Sequence, residues 1–167
     1  MSQLMQSHDY IVGHLTPSIV LYEPSFEGWL SAVFYVYTNK LQDDESLQLI
    51  AHDCYIPSLI AQATSVATDA DNAERVLIKL HKLLGRSGMR NILWGFLSEK
   101  AHIGTTLFQV VKYAIDYPSR SIMEDLGNLN VLELVQTVKS VAREKHRMEA
   151  FVRFEHTTDD IYFARVE

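Results

Sequence analysis

With 167 residues, 47% of them hydrophobic and 22% charged, the chain has an ordinary globular composition and enough length for one domain that buries roughly two-thirds of its unfolded surface. Its formal net charge of −6 argues against a nucleic-acid coat over the whole surface, so the placement of positive residues matters more than their sum. The one cysteine, Cys54, excludes an intramolecular disulfide, and Met1 to Asp9 lack the basic and apolar regions of a signal peptide, so a cytoplasmic protein is expected.

Ser18-Ile-Val-Leu-Tyr22 is a β-branched, apolar run between Pro17 and Pro24 and predicts a short buried strand. Ser25 is placed to cap a helix from Phe26 to about Lys40, because its hydroxyl can accept from a first-turn amide. Phe26, Trp29, Leu30, Val33, Phe34 and Tyr37 recur at helical spacing and form an aromatic core face. Asp43 to Asp53 is expected to form a short helix, and Tyr55 to Thr68 is ambiguous. The charge-free stretch between Asp53 and Asp69 is too short and polar to span a bilayer, so no membrane partner is expected.

Thr68-Asp69-Ala70-Asp71 supplies cap signals, and Asp71 with Glu74 has capping-box spacing, for a helix whose inner face is Ala73, Val76, Leu77, Leu80 and Leu84, with Gly85 as its stop. Helical patterns resume at Met89 to Leu97 and at Leu107 to Ile115, the latter ended by Pro118. Ser119 to Asn128 is a connector. Asn130 with Glu133 opens a long helix to about Glu149, with Leu134, Val135, Val138, Val141, Ala142 and Met148 inward. Phe151 to Glu155 and Ile161 to Val166 then flank the polar Thr157-Thr-Asp-Asp160, a hairpin pattern. The predicted class is α+β: a mainly helical single domain over 1–167, with a small antiparallel sheet made from the N-terminal strand and the C-terminal hairpin.

One stretch departs from the acidic average. Between Lys139 and Arg153 there are five basic side chains and two acidic ones, Glu144 and Glu149. Lys139, Arg143, His146 and Arg147 share one helix face, since residues three and four apart are neighbours, and Arg153 extends that stripe onto the hairpin. The guanidinium fork suits phosphate or carboxylate, so the stripe is a candidate anion or nucleic-acid surface. The competing reading is a solvated face whose cations complement the helix dipole and pair with Glu144, Glu149 or Glu155.

Other chemistry is sparse. No two of the seven histidines have helical metal-site spacing with a nearby glutamate, and adjacent His52-Asp53-Cys54 side chains point apart, so no metal is expected. Cys54 is expected to be a buried structural thiol. There is no glycine-rich phosphate loop, nucleophile-elbow serine or cofactor motif, and no cofactor is expected. His146 is the weak candidate for an acid or base, with Arg143, Arg147 and Arg153 as clamps for a nucleotide or phosphate ester.

Two segments carry a resemblance. Ser18-Ile-Val-Leu-Tyr22-Glu-Pro-Ser-Phe26-Glu-Gly28-Trp-Leu-Ser-Ala-Val-Phe34 resembles the opening of a bacterial family described as a probable DNA metabolism protein. Arg143-Glu-Lys-His146-Arg147-Met148-Glu-Ala-Phe151-Val-Arg153-Phe154 resembles its second signature, and Thr68 to Val76 also fits. The family is a domain of unknown function associated with a radical-SAM protein and sometimes fused to a uracil-DNA-glycosylase-like domain. Members usually continue past the hairpin, so this chain would lack a C-terminal extension. The resemblance implies an accessory role in DNA repair or base modification, with nucleic acid or one of those two proteins as partner.

Overall fold

The computed structural model describes residues 17–57, 59, 61–118, 121–151, 154–156 and 162–164. Strand β1 runs Ser18–Tyr22, and helix α1 follows over Phe26–Thr38, with the Ser25 Oγ accepting from the Gly28 amide at 3.0 Å as the sequence predicts. Trp29, Leu30, Ala32, Val33 and Val36 are buried on α1. The expected helix at 43–53 is instead strand β2, Gln48–Ala51, followed by a 3₁₀ turn at His52–Cys54. The ambiguous stretch supplies strand β3, Gln62–Val66.

These strands correct the predicted sheet. Their order is β2-β1-β3, and both pairings are parallel, with Val20 opposite Leu49 on one side and Thr64 on the other. An antiparallel neighbour can follow through a tight turn, but a parallel one needs a crossover, and α1 provides it between β1 and β2. The C-terminal hairpin is present as β4, Phe154–His156, and β5, Tyr162–Ala164; it is antiparallel and forms its own two-stranded sheet, so β1 does not join it.

The outer edge of β2 is closed by a side chain. Thr105 Oγ accepts from the Leu49 amide at 3.0 Å and donates to the Leu49 carbonyl at 3.2 Å, which occupies backbone groups an edge strand would otherwise leave open.

Helix α2 spans Ala70–Phe96 and is broken at Gly85, whose φ of 65° and ψ of −176° leave the helical region. The predicted stop is therefore a kink with helix on both sides. Its cap is Asp69, not the Asp71–Glu74 pair: the Asp69 carboxylate accepts from the Asn72 amide at 2.9 Å. The Asp69 amide also donates to Ser31 Oγ at 3.0 Å, which ties this end of α2 to the middle of α1. Helix α3 covers Ile103–Asp116 and helix α4 Leu129–Phe151. The α4 cap lies two residues ahead of the expected one, with Asn128 Oδ1 accepting from the Asn130 and Val131 amides.

The core joins β1, β2 and one face of each helix through Val20, Leu49, Trp29, Leu80, Ile92, Phe108 and Leu134. On α4 the buried positions Val131, Leu134 and Thr137 give way to half-buried Val138, Val141 and Ala142. Every side chain from Arg143 to Met148 is exposed, so Met148, expected inward, is 49% exposed. Among the described residues no neighbouring element covers the helix there. Among the described residues no helix is long and apolar enough to cross a membrane.

Candidate functional site

Two regions carry candidate chemistry: the basic face of α4 and a cleft where β1 and β2 end. Lys139, Arg143, His146 and Arg147 are all exposed on α4. Arg143 Nε donates to the Lys139 carbonyl at 3.4 Å, one turn back. Among the described residues no carboxylate lies within ion-pair distance of Lys139, Arg143 or Arg147, unlike His102 with Glu133 and Lys112 with Asp43. Arg75 and Arg90, by contrast, rest over the rings of Phe34 and Trp94 at 5.3 and 5.8 Å. Arg153 lies outside the described residues.

The cleft was not legible in the sequence. Its volume is about 300 Å³, the lower end of the range for small-molecule sites. Tyr22 brings the end of β1 to it, Asp53 and Cys54 the turn after β2, and Lys100 and Ile103 the approach to α3. Phe96 and Leu97 add an apolar wall. Glu99, also lining it, holds a φ of 54°, an uncommon backbone state for a residue with a side chain.

Two contacts fix this geometry. Trp29 Nε1 donates to the Gly104 carbonyl at 3.0 Å, buried between α1 and α3. Gly104 has no room for a side chain: a Cβ there would lie 2.6 Å from the Tyr22 hydroxyl and 2.8 Å from the Leu49 carbonyl oxygen. Nearby, Lys100 Nζ donates to Thr137 Oγ at 2.9 Å, while His102 and Thr106 share the Glu133 carboxylate at 2.5 and 3.1 Å. These bonds join the start of α3 to the middle of α4.

Burial, then the charges of Cys54 and Asp53, push the Tyr22 phenol up to about 12, so it is a hydrogen-bond donor at neutral pH. Cys54, expected buried, is exposed, because the 3₁₀ turn carries it past the end of the sheet. Loss of solvation, then the Asp53 charge and hydrogen bond, raise its thiol above the ordinary value, which disfavours the thiolate a nucleophile needs. Among the described residues no three His, Cys, Asp or Glu side chains are grouped to hold a metal ion. His146 is not among the residues lining the cleft.

No curated protein and no solved structure matches the chain. Residues 101–167, which include α3, α4 and the hairpin, match the family described as a domain of unknown function, DUF4130.

Proposed function

We propose that the exposed basic face of α4 contacts nucleic-acid phosphates, and that the protein acts as an accessory module in DNA repair or base modification. The observation that carries this reading is the set Lys139, Arg143 and Arg147, exposed in helical register with no carboxylate partner among the described residues. In a chain of net charge −6, such a local surface favours a short contact with a backbone over a general coat.

Fluorescence anisotropy on single- and double-stranded DNA across a salt series tests it. Each phosphate contact contributes a slope of about −0.9 in log affinity against log salt on duplex. The double variant Arg143→Ala/Arg147→Ala should lose close to two such increments. Unchanged affinity and slope would sink the proposal.

A second reading is a docking module for a radical-SAM or uracil-DNA-glycosylase-like protein. Met148, exposed beside Arg147, favours it, since a mixed apolar and basic surface suits a protein partner. Co-purification with either candidate separates the readings, and the absence of a complex at micromolar concentration would count against docking.

A further inference from the structure

We propose that the outward side of α2, from Arg75 to Arg90, is a second basic surface, and that its occupant is the sugar–phosphate backbone of a nucleic acid. It is separate from the basic face of α4. Gly95 marks the place where α2 meets Leu134 of α4; the α2 cations lie ahead of that contact, and Lys139 to Arg147 lie beyond it.

The first observation is charge. α2 carries Arg75, Lys79, Lys82, Arg86 and Arg90, and no acidic residue stands between Glu74 and Glu99. The basic stretch of α4 is interrupted by Glu144 and Glu149; this one is not interrupted. Asp71 and Glu74 sit in the first turn of α2, where negative charge complements the helix dipole.

The second is placement. Ahead of the kink, Arg75, Lys79 and Lys82 share one helix face at spacings of four and three residues, and after it Arg86 and Arg90 share one at a spacing of four. All five are exposed, while Ala73, Leu80, Met89 and Ile92 take the buried positions. A rise of about 1.5 Å per residue sets neighbours on each face about 4.5–6 Å apart along the axis. Phosphates of one strand recur about every 3.4 Å along a duplex, so such a row can follow a backbone.

The third is what holds the side chains. Among the described residues none of the five lies within ion-pair distance of a carboxylate. Arg75 rests instead over Phe34, at 5.3 Å, and Arg90 over Trp94, at 5.8 Å. A ring engages the guanidinium through its flat side and leaves the N–H fork in its plane for phosphate oxygens. It also restricts the side chain before a ligand arrives, which lowers the cost of ordering it on binding. A repeating row of cations matches a repeating row of anions, and an acidic protein would need carboxylates at that same repeat. Contacts of this kind carry no base information, so binding is sequence-independent.

The test is fluorescence anisotropy of the full chain with labelled single-stranded DNA, duplex DNA and polyglutamate, from 50 to 200 mM salt. Lys79→Gln/Lys82→Gln/Arg86→Gln should lower the slope of log affinity against log salt on duplex by between two and three, at about 0.9 for each lost contact. Wild type and variant should converge as salt rises. Lys79→Arg/Lys82→Arg keeps the charge and should bind as wild type does. All these positions are exposed, so equal melting temperatures are expected. Unchanged affinity and slope in the triple variant overturn the proposal, whatever Arg143→Ala/Arg147→Ala does. Loss in the triple variant with no loss in the α4 pair would leave this surface standing and remove the α4 reading. Polyglutamate bound as tightly as DNA, and lost in the same triple variant, would assign the surface to an acidic protein and overturn the nucleic-acid assignment.

Discussion

Gly104→Ala adds one methyl group at the most crowded point between α3 and the sheet. Alanine favours a helix over glycine by about 1 kcal/mol, so a free helix would gain. Here the new carbon would sit 2.6 Å from the Tyr22 hydroxyl, 2.9 Å from its ring and 2.8 Å from the Leu49 carbonyl oxygen, where ordinary contact begins near 3.4 Å. Tyr22 is fixed in the core and the Leu49 carbonyl belongs to β2, so neither yields without moving the sheet. Overpacking of this kind costs about 1–3 kcal/mol. Displacing α3 also strains the buried Trp29–Gly104 bond, worth about 1 kcal/mol or more. Net of the helix gain, destabilisation should be roughly 2 kcal/mol, or a melting temperature lower by about 4–8 °C at this chain length. Urea denaturation followed by tryptophan fluorescence should show an earlier midpoint with unchanged slope. Gly104→Ala/Tyr22→Phe should recover part of the loss by removing the closest atom. A single variant as stable as wild type would refute the packing argument.

Gly85→Ala meets open space but must hold a φ of 65° with a ψ of −176°, a region open essentially to glycine alone, so it should cost on the order of 1–3 kcal/mol by the same denaturation assay. Asp69→Ala removes the α2 cap and should cost about 1 kcal/mol, whereas Asp71→Ala should cost clearly less. The folded Tyr22 and Tyr37 phenols hold their protons to about 12, Tyr37 because of burial and then the charges of Asp116 and Asp43, while unfolded phenols ionise near 10. Their stabilisation is full below pH 10 and is lost as pH rises from there through 12, on the order of 1–2 kcal/mol each after solvent screening. Tyr22→Phe and Tyr37→Phe should each flatten that alkaline limb in pH-dependent melting curves.

What could be read from the residues was what repeats locally. The apolar run of β1, the Ser25 cap, the aromatic face of α1, the break at Gly85 and the closing hairpin are each written in adjacent positions. Strands β2 and β3 were not. Gln62 to Ser65 are exposed, so β3 carries no apolar alternation, and it is a strand because it pairs with β1. Caps were misplaced by two residues where several Asx candidates stood together, since only geometry decides which carboxamide or carboxylate reaches the amide. The basic face of α4 was visible because its residues share one helix. The cleft was not, because Tyr22, Asp53 and Lys100 come from separate segments.

The strand order carries a consequence for biosynthesis. β1 is made first of the three, yet it occupies the middle and finds its partners only at Gln48–Ala51 and Gln62–Val66. Closing such distant pairings costs chain entropy before any contact rewards it, whereas helical turns form at once. On the ribosome, Ile19 to Tyr22 therefore remains an apolar ribbon with both flanks bare until residue 51 has emerged and one flank bare until residue 66 has. During that interval it is a template for wrong pairing and a natural target for a chaperone.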